Sequence, residues 1–194
     1  MPIDKSVFKK NFEFIGMTEY LGKLNKCKTI MLMYGENFSV IPITTHINVK
    51  DIYKELSKTK IKEKLTTITK LLKLKKYNLN FKLLKFLCYN PHCSENRTIG
   101  NEDKLFYQIL RNNFSYISGP YPSDSAFINY EKNTLFISTY HDQALIPYKI
   151  LNHKGFNLTL GLSYRRLSPS HGTAKNIKFK NQSDNSSYIA CMLS

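Results

Sequence analysis

The 194-residue sequence predicts an α/β fold: a largely parallel sheet with flanking helices. Apolar, β-favouring runs alternate with amphipathic helical patterns along the chain, the signature of strands joined through helices. No internal repeat, low-complexity block or Pro/Gly/Ser-rich linker interrupts them. Hydrophobic residues make up 42% of the chain, enough to bury a core.

The elements follow in order. Thr18–Leu24 has a helical pattern, and β-runs follow at Thr29–Tyr34 and Phe38–Thr44. Val49–Leu56 reads as helix, as does Lys60–Lys75, where Ile61, Leu65, Ile68 and Leu72 form an i, i+4, i+7, i+11 stripe. Asn80–Tyr89 is the next β-run, Glu102–Asn112 a helix and Phe114–Ile117 a short strand. Thr134–Thr139 is an apolar strand that stops abruptly at Tyr140-His141-Asp142-Gln143. Gln143–Leu151 resumes as helix, Phe156–Leu162 is the last β-run, and Asn185–Met192 closes the chain as helix.

Composition narrows the function. No apolar run approaches the roughly 18 residues of a membrane span, and the amino end lacks a signal-peptide layout, so no membrane partner and a cytoplasmic location are expected. Cys27, Cys88, Cys93 and Cys191 show no C-x-x-C spacing and are expected as reduced thiols. Cys93, beside His92, invites a reading as nucleophile, but a small gap-filling neighbour is the plainer one. The net charge of +15 suggests nucleic acid at first sight. Lysines dominate, however, over just four arginines, and their densest group shares the Lys60–Lys75 segment with the apolar stripe, which makes it the solvated face of a helix. A basic binding protein for nucleic acid or an acidic partner is therefore the competing reading, not the leading one.

Histidine placement points to chemistry. "VIPITTH", "FLCYNPH" and "LFISTYH" end in His46, His92 and His141, each directly after a β-run. Ligands in α/β sheets collect outside the carboxyl ends of strands. Any one of these histidines could be structural. Three at equivalent positions fit a divalent ion held by neutral imidazoles with positions left open for substrate. Asp142, Gln143 and Glu95 are candidates to orient them. No G-x-G-x-x-G occurs.

The segments "PIDK", "GMTEYL", "TTHINV", "NPHCSEN" with "IGNED", "GPYPSDSAF", "YHDQALIPYK", "FNLTLGLSYRRLS" and "HGTA" run in order over nearly the whole chain. On these the sequence resembles the carboxyl-terminal portion of the 4-hydroxythreonine-4-phosphate dehydrogenase family of vitamin B6 (pyridoxal phosphate) biosynthesis, with relatives acting on phosphorylated threonate and erythronate. The resemblance implies an isocitrate/isopropylmalate dehydrogenase-like fold truncated at the amino end. Residues 1–140 would form an α/β domain with the metal and dimer motifs, and residues 141–194 the return segment of a second, incomplete one. It implies His46, His92 and His141 as ligands of one divalent ion (zinc, magnesium or cobalt) at a homodimer interface. Thr18, Lys149, Asn157 and Arg166 would contact a small phosphorylated hydroxy acid, with Lys149 also a catalytic proton carrier. His171, Gly172, Thr173 and Ala174 would touch NAD or NADP. The implied activity is oxidation, with decarboxylation, of 4-phosphohydroxy-L-threonine to 3-amino-2-oxopropyl phosphate. The family's His is Met17 here and its Asp before "HGTA" is Ser170. The family's amino-terminal segment, absent here, suggests either a separately encoded half or a non-catalytic relic as further readings.

Overall fold

The computed structural model describes residues 15–171, 177, 180–182 and 184–194. Seven strands form one sheet: β1 (Ile30–Gly35), β2 (Phe38–Pro42), β3 (Leu83–Leu87), β4 (Ile117–Tyr121), β5 (Thr134–Ser138), β6 (Gly155–Leu160) and β7 (Arg166–Pro169). Their order is β4-β3-β5-β2-β1-β6-β7. The helices are α1 (Met17–Leu24), α2 (Ile52–Glu55), α3 (Lys58–Leu72), α4 (Glu102–Asn113), α5 (His141–Leu151) and α6 (Ser186–Met192).

The α/β class is as the alternation predicts, but the sheet is mixed. The β4–β3, β3–β5 and β5–β2 pairs are parallel, while β2–β1, β1–β6 and β6–β7 are antiparallel. The reason is local: only Glu36 and Asn37 separate β1 from β2, and a parallel crossover needs a dozen or more residues. Strand β7 is an addition, formed by a polar stretch the apolar runs did not mark. β6, in the expected return segment, joins the same sheet by pairing with β1 over Ile30↔Leu160 to Gly35↔Gly155.

One sheet face is covered by α2, α3 and α4. Ile61, Leu65 and Ile68 of α3 and Phe106, Ile109 and Leu110 of α4 bury against Leu32, Ile41, Phe86, Leu135 and Ile137. This is the apolar stripe read from the sequence, and the α3 lysines lie outside it. The other face packs Met31, Met33, Phe38, Val40 and Phe136 against Ala144, Leu145 and Tyr148 of α5. The Tyr148 hydroxyl donates to the Tyr34 carbonyl at 2.7 Å, tying α5 to β1.

Because β2, β3, β4 and β5 run parallel, their carboxyl ends share one edge. β1 runs the other way, so its start, and α1 just before it, come to that same edge.

Candidate functional site

The β2–β5 ladder continues past both strands. Ile43 N donates to Ser138 O at 2.8 Å, and the Thr44 amide and hydroxyl both donate to Thr139 O, at 3.2 and 2.8 Å. His46 and His141 follow directly, and their ring centroids stand 5.5 Å apart. His141 is the first residue of α5, so the helix begins two residues earlier than its periodicity suggests. The two rings border a cleft of about 220 Å³ lined also by Thr44, Ile47, Val49 and Tyr140.

Each ring is fixed through Nδ1. His46 Nδ1 lies 3.2 Å from Glu19 Oε2, and His141 Nδ1 lies 2.6 Å from Asp142 Oδ1. A carboxylate can only accept, so Nδ1 carries a proton, and in the neutral ring Nε2 keeps its lone pair. Glu19 comes from the first turn of α1, and its other oxygen accepts the Thr45 hydroxyl. Burial raises the Glu19 carboxyl, but the hydrogen bonds from His46 and Thr45 outweigh it and hold the group at about 2. Gly16 makes the approach possible, since a Cβ there would overlap the His46 ring and the Glu19 carboxylate.

His92 does not join this pair. After β3 the chain leans toward β4: Cys88 N donates to Tyr121 O at 2.9 Å, and the Cys93 thiol reaches Pro120 O at 3.5 Å. His92 then sits in a turn where residues 92–97 all take positive φ, between 41° and 78°. Each such non-glycine residue costs about 1–2 kcal/mol. The His92 side chain is 62% exposed, 3.7 Å from Glu95 Oε1 and 3.6 Å from Asp124 Oδ2. Among the described residues no three His, Cys, Asp or Glu side chains are grouped to hold a metal ion. A single chain thus offers two imidazoles in one place and the third elsewhere.

The remaining expected residues are dispersed. Thr18 is buried in the first turn of α1, its carbonyl accepting the Thr29 hydroxyl at 2.9 Å. Met17, half-buried, opens the same helix. Lys149 is exposed on α5, eight residues and about 12 Å of helix beyond His141. Asn157 on β6 pairs with Ser168, and Thr159 with Arg166. Residues two apart share a face, so Asn157 and Arg166 lie on the same side of the sheet. The β1 partners of Asn157 and Thr159, Met33 and Met31, pack against α5, which places Asn157 and Arg166 on the α5 side. Asn157 Oδ1 is buried without a hydrogen-bond partner. Arg166 Nη1 donates to Thr159 Oγ1 at 2.8 Å, and burial draws the guanidinium pKa down from its usual value. His171 is exposed past β7, while Gly172, Thr173 and Ala174 lie outside the described residues.

Cys88 and Cys93 are free cysteines. Burial pushes both upward, and proximity to Cys88 raises Cys93 further. That suits a packing role for Cys93 and argues against a thiolate nucleophile. Two residues escaped sequence reasoning: Glu19, which looks like an ordinary first-turn acid, and Asp103, buried at the start of α4. The signal for Glu19 was its third helical position after Gly16, where a Glu reaches back over the helix start.

An imidazole pair at the carboxyl edge of parallel strands, backed by carboxylates and opening on a cleft, marks an α/β protein with a candidate ligand site where such sheets place their chemistry. The family described as "Pyridoxal phosphate biosynthetic protein PdxA" matches residues 1–194, and the chain belongs to that family. It is 41% identical over 184 residues to the 4-hydroxythreonine-4-phosphate dehydrogenase of Hydrogenobaculum sp. (strain Y04AAS1), covering 93% of this chain and 58% of that protein. It is 39% identical over 198 residues to the enzyme of that name from Aquifex aeolicus (strain VF5), covering 97% of this chain and 61% of the relative. The crystal structure of 4-hydroxythreonine-4-phosphate dehydrogenase from Klebsiella pneumoniae superimposes with a TM-score of 0.76 at 26% identity, over all of this chain and 61% of that one. The fold is thus the isocitrate dehydrogenase-like fold of that family. The chain spans about three-fifths of the length of these relatives.

Proposed function

We propose that this chain carries the metal- and substrate-binding part of a 4-hydroxythreonine-4-phosphate dehydrogenase. The reaction is the NAD- or NADP-dependent oxidation, with decarboxylation, of 4-phosphohydroxy-L-threonine to 3-amino-2-oxopropyl phosphate, in the cytoplasm. The names of the relatives support the activity, and the His46–His141 pair carries the reading for this chain.

The donor set fits a divalent ion such as zinc, cobalt or magnesium. Nε2 of His46 and Nε2 of His141 would hold it, with His92 from a second copy of the chain as third ligand in a homodimer. Such an ion supplies Lewis acidity toward the substrate's hydroxyl and the ketone it becomes.

The chain's own residues do the rest. Glu19 and Asp142 keep the ring protons on Nδ1. Arg166, with no carboxylate partner among the described residues, offers a planar fork to the phosphate or carboxylate of the substrate. Asn157 presents an unsatisfied carbonyl oxygen to a hydroxyl or ammonium donor. Thr18 contributes its hydroxyl, and Lys149 is the proposed proton carrier, brought to the substrate by domain or subunit closure. The nicotinamide ring would accept the hydride, with His171 to Ala174 alongside the cofactor.

The test is calorimetric titration of the protein with cobalt or zinc, alongside NADH formation from the phosphorylated substrate. The reading expects specific metal binding that His46→Ala and His141→Ala abolish, and turnover that a chelator stops. Metal binding indifferent to both substitutions, or chelator-insensitive turnover, overturns it.

A further inference from the structure

His46 and His141 are each aimed by a carboxylate on Nδ1, whereas His92 has no such clamp. Its ring stands 3.6–3.7 Å from the nearest carboxylate oxygens, beyond hydrogen-bond length. The direction of the His92 side chain is therefore set by its backbone, a left-handed turn that non-glycine residues do not adopt unaided. Something must hold that turn.

We propose that Asp103 is the positioning residue of His92. Asp103 is the second residue of α4 and 3% exposed. Its carboxylate accepts the Tyr89 amide at 2.6 Å, the Asn90 amide at 3.1 Å and the Ser94 hydroxyl at 2.6 Å. These donors lie three and two residues before His92 and two after it, so a single side chain grips the turn on both sides. Asn90 closes the bracket by donating its Nδ2 to Ser94 Oγ at 3.0 Å and to Glu102 Oε2 at 2.7 Å. Gly100 leaves room for this, as a Cβ there would overlap the Glu102 carboxylate.

The coupling runs both ways. No Lys or Arg pairs with Asp103 among the described residues, so this buried charge is satisfied by hydrogen-bond donors of the turn itself. Unwinding the turn would leave the carboxylate uncompensated, which is why the strained conformation persists. The same side chain thus sets the shape of the turn and the aim of the imidazole it carries. The inference rests on reading His92 as a metal ligand only for its catalytic consequence; the positioning is a property of the metal-free chain.

The experiment compares wild type with Asp103→Asn, whose amide nitrogen would confront one backbone donor whichever way it is turned, the Tyr89 amide at the Oδ1 position or the Asn90 amide at the Oδ2 position. Nitrogen–proton correlation spectra of the histidine rings, recorded without metal, should show the His92 resonances shifted or broadened while those of His46 and His141 stay in place. Unmoved His92 signals in a folded Asp103→Asn protein overturn the proposal. Ser94→Ala, which keeps the carboxylate and both amide donors, is the second variant should the first not fold. It should move His92 in the same direction by less, and an unmoved ring there is equally fatal. Cobalt titration reads the consequence: affinity should fall about 10–100-fold in Asp103→Asn, the usual effect of losing a supporting residue. If His92→Ala binds cobalt as wild type does, the ligand reading fails, while the ring signals still decide the positioning.

Discussion

Replacing Glu19 by Gln is the sharpest single perturbation of the imidazole pair. The substitution preserves size and keeps a carbonyl oxygen for the Thr45 hydroxyl. It places an amide donor opposite His46 Nδ1, where a carboxylate now accepts at 3.2 Å. With its carbonyl held on Thr45, the amide faces Nδ1, and two donors cannot face each other; the His46 proton then moves to Nε2, and the lone pair aimed at the cleft is lost. Losing a charge-assisted hydrogen bond costs about 1.5–3 kcal/mol. Glu19 keeps about a third of its side chain in water, which places the loss of stability near the lower end. The effect on binding is larger in relative terms. Carboxylates behind metal-ligating histidines are worth about 10–100-fold in affinity, or about 1.4–2.7 kcal/mol. The assay combines a cobalt titration with the nitrogen shifts of the His46 ring, which distinguish the tautomers. A Glu19→Gln protein that binds cobalt like wild type, with its proton still on Nδ1, would refute the reasoning.

Three further outcomes are expected. Leu65→Ala, at a fully buried position of α3, should destabilise the protein by about 2–5 kcal/mol in urea unfolding, and a change below 1 kcal/mol would contradict the packing of that helix on the sheet. Tyr148→Phe removes the donor to the Tyr34 carbonyl and should cost about 1–3 kcal/mol by the same measurement, with an unchanged midpoint counting against that bond. Burial raises the Cys88 thiol, so its thiolate appears only above the ordinary cysteine range; iodoacetamide at mildly alkaline pH should leave Cys88 unlabelled in the native protein and label it on unfolding. Native labelling at the unfolded rate would contradict this.

Much of the architecture was legible because periodicity reports burial. The α3 stripe, the fully buried β5 and the helix at Glu102 all follow from residue spacing. Strand direction was less so, although the two residues between β1 and β2 already forbid a parallel crossover. β7 was hidden because Arg166 and Ser168 make it read as polar loop, and β4 was displaced because Gly119-Pro120 resembles a turn. For the site, the histidines at strand ends could be seen, since a polar stop after an apolar run is a local signal. Which of them meet could not, because that depends on the lean of the chain after β3. Glu19 and Asp103 act through contacts 27 and 9–14 residues away in sequence; the third helical position of Glu19 was a faint local signal, and nothing local distinguishes Asp103 from other helix-start acids.

The hydrogen-bond ladder that carries β2 and β5 past their ends acts as a ruler for whatever binds beyond it. His46 and His141 follow the ends of neighbouring strands, β2 and β5, whose separation, about 4.8 Å, is fixed by the backbone rather than by side-chain choice. Ions or ligands of different size cannot be met by spreading these two rings. On the proposed reading of His92 as the third ligand, adaptation would come from that arm, and substitutions in its turn would retune which guest is accepted while the sheet keeps its gauge.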